Sequence, residues 1–524
     1  MAKTFNITGT CIPERHYMAD VSGKLDKILE MVSRGDYFTI NRPRQYGKTT
    51  VMYLLKQRLM ENNDYLALNI SFEGIDTPTY EKHERFVRTI LSILNRLLKF
   101  MKEKKLAALV EANEDISDFE GLSTFFTDFI LESGKKVVLM IDEVDKAANN
   151  QLFLDFLGML RTKYLGQNEG LDRSFHSVIL AGVHDIKTLK AKIRPEEKRM
   201  LNSPWNIAVD FDVELSLSRG EITPMLEDYA AERNVKMDIP FFAEYLDYFT
   251  SGYPFLVSYL CKIIDEKILT RKQNKTWKPE DLVDAVQIAL TQDNTNFDSL
   301  IKNLENNPDL YEFVFKIIMN GMDFTYNRHN SIIRFGTIYG ILKEEKGKTR
   351  IHNRLYAQII YNYMSSNLET SSGIDLSSIG SNYFNEDGEL NIEKVIRKFQ
   401  VFMKEQYSKK DTDFIERNGR LLFLAFIKPI INGKGFDFKE VQISEEKRLD
   451  VVITFESKKY IVELKIWRGE SYHREGLKQL CDYLDLQNQN TGYLLIYDLR
   501  KETGKSGEWE EIETDTKKIV AAWL

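Results

Sequence analysis

The run TINRPRQYGKTTVMYLL at residues 39–55 decides how the first half of the chain is read. A β-rich segment, Tyr37–Asn41, leads into a turn ending Gly47-Lys48-Thr49, and an amphipathic stretch, Thr50–Asn62, follows. Strand, turn and helix in this order let main-chain N–H groups at a helix start cradle phosphate oxygens. A lysine then reaches the β/γ-phosphates and a hydroxyl binds Mg²⁺. The expected nucleotide contacts are Arg44, Gln45, Tyr46, Gly47, Lys48, Thr49 and Thr50. The usual pattern GxxxxGK[ST] departs at its first position, which is Arg42 here. Taken alone, the turn is also compatible with a solvated basic loop.

Support comes from KVVLMIDEVD at residues 136–145. Its apolar run fits a buried parallel strand, and carboxylates at the C-terminal end of such a strand lie where ligands bind. Asp142 is expected to hold Mg²⁺ through water, with Thr49 on the same ion, and Glu143 to polarise the attacking water. An acidic strand end by itself is only a surface cap. Together with GKT it predicts ATP and Mg²⁺ as cofactors.

Further strands are expected at Tyr65–Phe72, Ser177–Ala181 and Ile207–Phe211, and helices at Tyr80–Lys102 and Leu122–Glu132. Alternating short strands and longer helices predict a three-layer α/β ATPase core over residues 1–217. Residues 218–295 read as a helical lid, and residues 296–364 as a winged-helix-like domain whose wing ends in TRIHN. The serine-rich interval Ser365–Ser381 marks a linker at 365–382, and a second αβ domain fills 383–524.

In that last domain, residues 449–455 and 459–465 form a predicted hairpin turning at Glu456-Ser457-Lys458. Alternation sets Glu463 and Lys465 on one face, Val462 and Leu464 on the other. Asp450 is expected to meet Glu463 across the hairpin's base. Two hard carboxylate ligands for Mg²⁺ and a lysine that orients water suit phosphodiester hydrolysis. A solvated hairpin is the plain alternative. Gln479 and Tyr483 stand four apart on the next predicted helix and share its face. A strand at Tyr493–Tyr497 closes an αβββαβ order.

The 524 residues are 43% hydrophobic and 29% charged, an ordinary globular balance that predicts three or four domains. A net charge of -7 gives no global pull toward nucleic acid, so such contact must be local or metal-mediated. Three cysteines, at 11, 261 and 481, form no CxxC pair and predict a reducing compartment. No signal sequence or apolar run of about eighteen residues is present, so a cytoplasmic protein without membrane contact is expected.

From about Phe5 to Met364 the chain resembles a family of bacterial AAA-like ATPases whose loops read RPRxxGK[ST]. NRPRQYGKTT, VVLMIDEVD, SVILAGVHD, NSPWNIAVDF and SGYPFLVSYL carry the resemblance, which accounts for Arg42. It implies a sensor strand at Ser177–Asp185, with His184 or Asp185 reading the γ-phosphate. It also implies a lid turn at Gly252-Tyr253-Pro254 and a homo-oligomer in which Arg194 or Arg199 acts in trans. Each feature has a simpler reading as a strand end, a helix-starting proline or a solvated basic residue.

Residues 383–524 resemble the PD-(D/E)XK nuclease superfamily in the order Asp450, Glu463-x-Lys465, with Gln479 and Tyr483 matching its Q-x-x-x-Y helix. Glu416 matches the acidic residue of that superfamily's first core helix and is a candidate third metal ligand; stabilising a helix N-terminus is the alternative. The whole chain is similar to ATPase–nuclease fusions of anaerobic bacteria. This implies an ATP-controlled, metal-dependent nuclease acting on DNA, with a role in defence against mobile elements. A nucleotide-driven switch or scaffold that binds nucleic acid or protein without cutting stays open beside it.

Overall fold

The computed structural model describes residues 2–147, 150–183, 205–318, 324–372, 383, 385, 389–406, 423, 426–427, 435–438, 442–444, 447–448, 451–455, 458–498, 500, 505, 507–514 and 517–524. It divides into two compact units. The first comprises Met1–Asn303, Tyr326–Glu345 and Arg350–Tyr356; the second comprises Leu304–Thr325, Lys346–Thr349 and Ala357–Leu524.

The first unit is built on strands β1 (Tyr37–Asn41), β2 (Tyr65–Ser71), β3 (Lys136–Asp142) and β4 (Ser177–Gly182). They form one parallel sheet in the order β1-β4-β3-β2. Parallel strands need crossovers, and these are helices. Helix α1 (Ser22–Ser33) precedes β1, and α2 (Lys48–Met60) follows it. Next come α3 (His83–Met101), α4 (Lys104–Glu111) and α5 (Phe119–Ser133), then α6 (Gln151–Asn168). Val137, Leu139 and Ile141 of β3 join the core made with α3, α5 and α6, while α2 packs against the sheet with α1 beside it. Strands buried on both faces read as near-continuous apolar runs, as β3 does.

One expected strand is absent. Ile207–Phe211 makes only a single parallel bridge, Phe38↔Val209, with Val209 N–H donating to the Tyr37 carbonyl. A turn around fully buried Trp205 occupies the start of this segment, so the ladder does not extend along it.

Helices α7 (Arg219–Arg233), α8 (Ile239–Thr250), α9 (Pro254–Ile263) and α10 (Pro279–Thr291) follow. A capping box of Ser218 and Glu221 starts α7, and Asp238 caps α8. Helix α9 passes directly into a π turn at Ile264–Ile268. Gly252 has φ +67°, and a Cβ there would fall 2.1 Å from the Leu217 carbonyl oxygen, so only glycine fits.

From residue 295 the order is α11 (Thr295–Glu305), α12 (Pro308–Ile318), β5 (Phe324–Thr325), α13 (Ser331–Ile338), β6 (Leu342–Glu345), β7 (Lys348–Ile351) and α14 (Arg354–Ser372). The first part of the expected linker, residues 365–372, is therefore helical. Serine inside a helix costs only a few tenths of a kcal/mol, about 0.5, so an established helix continues through it.

Among the described residues, the second unit's main sheet has six strands. These are β8 (Gly435–Phe438), β11 (Val451–Phe455), β12 (Lys458–Ile466), β13 (Thr491–Tyr497), β14 (Trp509–Glu513) and β15 (Lys518–Trp523), in the order β14-β15-β13-β12-β11-β8. A separate short pair joins β9 (Gln442–Ser444) to β10 (Lys447–Arg448). Strands β12, β13 and β15 run parallel, and the other pairings are antiparallel. Helix α15 (Ile392–Gln406) shares a core with Val462, Leu464 and Leu495 on one face. Helix α16 (Glu470–Leu486) packs with Ile461, Leu494 and Ile496 on the other. Phe455 pairs with Lys458, so the hairpin is tighter than expected and Lys458 belongs to the strand. The closing hairpin β14–β15 was not anticipated. Its two strands are short, and only β15 is mostly buried. No helix among the described residues is long and apolar enough to cross a membrane.

One polar cluster ties the helical layer of the first unit together. Lys163 on α6, 1% exposed, is ion-paired with Asp172 at 2.9 Å and also donates to the Thr127 hydroxyl and Ser123 carbonyl of α5. Burial opposes the charge on Asp172, but hydrogen bonds from Lys163 and Thr127 outweigh it and hold the carboxyl below its ordinary range. A depressed carboxyl adds stability that is present above the unfolded pKa of about 4 and is lost as pH falls through the folded value. Asp172→Ala should cost about 2 to 3 kcal/mol in urea unfolding at pH 7, much less at pH 3, and be largely recovered by adding Lys163→Met.

Candidate functional site

The end of β1 delivers the chain into a loop, residues 42–47, that closes onto the first turn of α2. Two residues there take left-handed backbone: Gln45 at φ +56° and Gly47 at φ +82°. A Cβ on Gly47 would meet nothing nearer than 3.8 Å, so its backbone angle and not its space calls for glycine. Lys48 is 6% exposed and its Nζ donates to the carbonyls of Arg42 at 3.0 Å and Pro43 at 2.8 Å. Thr49 donates through Oγ1 to Asp142 Oδ2 at 2.7 Å. Asp142, 5% exposed, also accepts the N–H of Glu143 at 2.9 Å. The hydroxyl and the carboxylate singled out in the sequence are thus in direct contact.

Arg42 stands where a glycine is usual. Its guanidinium turns away from Lys48, donates to the carbonyls of Asn41 and Val213, and lies 5.4 Å from the Phe211 ring centroid. It braces the segment that follows the buried Trp205.

Burial pushes the Lys48 ammonium below its usual range, against the pull of Asp145, Glu143 and Asp142. Burial likewise pushes the half-buried Glu143 carboxyl up; Lys48 opposes this, and Asp142 and Asp145 reinforce it. Glu143 sits at φ +56°, uncommon for a residue with a side chain. A hard-oxygen pair, a cation and a carboxyl biased toward accepting a proton are what phosphoryl transfer to water needs. The oxygens of Thr49 and Asp142 fit Mg²⁺.

Three successive loop residues are held from outside the sheet. Tyr253 donates through its hydroxyl to the Arg44 carbonyl at 2.5 Å. Asn296 donates to Gln45 Oε1 at 2.8 Å and accepts from the Tyr356 hydroxyl at 2.7 Å. The Tyr46 hydroxyl and His352 Nε2 are in hydrogen-bond contact at 3.1 Å. Burial, with Lys343 nearby and Glu214 opposing, lowers the His352 pKa to about 4, so the ring is neutral at pH 7. Pro43 abuts Gly340, where a Cβ would lie 2.6 Å from its Cγ. The side chains of Gln45 and Tyr46 are therefore anchors, which leaves the loop's main-chain N–H groups for phosphate. Thr50 instead accepts the N–H of Cys11 at 3.0 Å. Sequence reading missed Asn296, His352 and Gly340, which meet the loop across more than two hundred residues, and Tyr356, which supports Asn296 from 60 residues away.

Residues 14–362 match the AAA-like domain family. The chain belongs to that family. Its AAA-like domain is accordingly a nucleotide-binding P-loop ATPase. Among solved structures it is similar to the Walker-type ATPase PABY2304 of Pyrococcus abyssi, with 14% identity over 68% of this chain and 99% of that one, at a TM-score of 0.45. It is also similar to the Aeropyrum pernix ORC2 protein (12%; 69% and 96%; TM-score 0.38) and to Thermotoga maritima RuvB (15%; 69% and 99%; TM-score 0.35). No curated protein matches the chain. The expected sensor residues His184 and Asp185, and the arginines Arg194 and Arg199, lie outside the described residues of the AAA-like domain.

A second constellation lies beyond the AAA-like domain, on β12. Glu463, 1% exposed, and Lys465 point to the same face and are ion-paired at 2.9 Å. Lys465 also donates to Gln479 Oε1 on α16 at 3.3 Å, and its Nζ lies 5.8 Å from the Tyr472 ring centroid. Tyr483 is buried one turn beyond Gln479. Asp450 and Glu416 lie outside the described residues. Among the described residues no three His, Cys, Asp or Glu side chains gather closely enough to hold a metal.

Lys48→Ala should weaken binding of a fluorescent ATP analogue roughly 100-fold, about 3 kcal/mol, through loss of charge-assisted bonds to phosphate. Glu143→Gln should bind the analogue normally and lose turnover. Arg42→Gly, which installs the common glycine, should lower the melting temperature with nucleotide affinity unchanged; weaker binding would return Arg42 to the phosphate site.

Proposed function

We propose that the AAA-like domain binds and hydrolyses ATP with Mg²⁺ and thereby controls a metal-dependent nuclease formed by residues 383–524. Lys48 meets the β/γ-phosphates, Thr49 and Asp142 hold the ion, and Glu143 polarises water. The proposed divisions are the core at 1–217, the lid at 218–295, a winged-helix-like part at 296–364 and a linker at 365–382.

The observation that carries the nuclease reading is the buried Glu463 with Lys465 two residues on, the lysine reaching Gln479 on the packed helix. A purely structural ion pair gains little from burial, because desolvation offsets its attraction. A hydrolytic site does need a carboxylate and a lysine held together out of bulk water. The mixed sheet with a helix on each face supports the same reading. Asp450 and Glu463, with Glu416, would hold Mg²⁺, which when bound stabilises charge on phosphoryl oxygens. Lys465 orients water and steadies developing charge, and Gln479 positions Lys465. DNA is the proposed substrate. ATP-driven homo-oligomerisation, with Arg194 or Arg199 acting in trans, is the proposed form of control.

Measured on a supercoiled plasmid with Mg²⁺, cleavage should rank wild type above Gln479→Ala, and both above Asp450→Ala, Glu463→Ala and Lys465→Ala. Equal rates throughout would turn the reading to a nucleotide-driven switch or scaffold, which the net charge of -7 favours. Light scattering of Glu143→Gln with ATP should show a mass above the monomer, and a monomer under every nucleotide condition would refute assembly.

A further inference from the structure

We propose that Asp145 is a positioning residue for ATP hydrolysis: it fastens the turn carrying Glu143 across β4 to the phosphate loop. The inference rests on the hydrolysis reading above and adds a residue to it.

The strand order sets the problem. β4 lies between β1, which carries the phosphate loop, and β3, which carries Asp142 and Glu143. No main-chain ladder joins β1 to β3. Asp145 crosses the gap: its Oδ2 accepts the N–H of Val183, one residue past β4, at 2.7 Å. The next bond runs from Arg42 N–H to the Gly182 carbonyl at 3.2 Å, and the next from Lys48 Nζ to the Arg42 carbonyl at 3.0 Å. A path of hydrogen bonds thus leads from the carboxylate turn over β4 to the catalytic lysine.

The crossing is closely fitted. A Cβ on Gly182 would stand 2.9 Å from Val144 Cγ2, so that one of the two must shift, and 3.0 Å from Asp145 Oδ1, a tight contact that the carboxylate must yield to. Glycine is what lets the turn lie down on the strand. The same turn holds Glu143 at φ +56°, a conformation that persists only when its surroundings fix it. Val144 is fully buried on one side of this turn, and Asp145 is anchored just after it. Releasing Asp145 frees the turn that aims Glu143, and a displacement of about 1 Å at a catalytic group can cost on the order of 100-fold in rate. Asp145 reaches Lys48 only at a distance, by its charge and through the bonds of Val183, Gly182 and Arg42, whereas it belongs to the same turn as Glu143, so its loss acts on the turn first and on phosphate binding less.

The test uses the full chain and reads kcat and nucleotide affinity separately. D145A should lower kcat about 10- to 100-fold, as loss of a positioning partner does, with the Kd for a non-hydrolysable ATP analogue changed less than about threefold. D145N keeps an acceptor for Val183 N–H and should restore most of the rate. G182A, which pushes the turn off β4 from the other side, should reproduce the kcat loss and decides the matter if D145A does not fold. Wild-type kcat in D145A or G182A overturns the proposal, and so does a parallel loss of affinity and rate. Wild-type protein that binds ATP without hydrolysing it overturns the hydrolysis reading and this proposal with it.

Discussion

The hydrogen bond from Thr49 to Asp142 spans a gap that the sheet itself leaves open. The two residues belong to elements that are not neighbours in the strand order, so the bond joins what the backbone ladder keeps apart. Its geometry requires α2 to begin directly above the sheet's carboxyl end, and that in turn requires the sharp loop with left-handed Gln45 and Gly47. Apolar packing on both faces of β3 supplies the rigidity that keeps such a loop from relaxing. Ligand sites at the carboxyl ends of parallel strands generally have this origin: the fold brings the ends together, and a few side chains complete the join.

Charge in the site is arranged so that each ionised group is costly alone. Burial disfavours the ammonium of Lys48 and the carboxylate of Glu143, and the Coulombic attraction between them offsets part of that cost. A polyanionic ligand with a divalent ion adds opposite charge to both sides of this balance. The loop is meanwhile held from outside by tyrosine hydroxyls, an asparagine and an uncharged histidine, with the Glu214 carboxylate accepting from Tyr46.

The elements that were legible in the sequence are those decided locally. β1 and β3 have the expected limits because runs such as KVVLMID admit few other conformations, and GKT at a helix start places Lys48 and Thr49 by local geometry. Glu463 and Lys465 share a face because a strand alternates. What failed were decisions made by distant packing. Ile207–Phe211 has strand-like composition, but buried Trp205 and a single bridge at Val209 fix its path. The serines at 365–372 favour turns, yet the helix from Arg354 runs through them. Arg42, a departure from the common glycine, proves to brace Val213, a contact no motif shows. DEVD was read for its first two acids, and nothing in four letters reveals that the third reaches across a strand.

The contact between Tyr46 and His352 joins residues 306 positions apart, and the neighbouring clasp from Asn296 to Gln45 spans 251. A chain made from its amino terminus at about 5–20 residues per second therefore exposes its phosphate loop for roughly 15–60 s before the last clasp exists. During that interval the loop has its strand and its helix but not its outer supports. Birth order thus separates the age at which this protein folds its sheet from the age at which its phosphate loop is fully clasped.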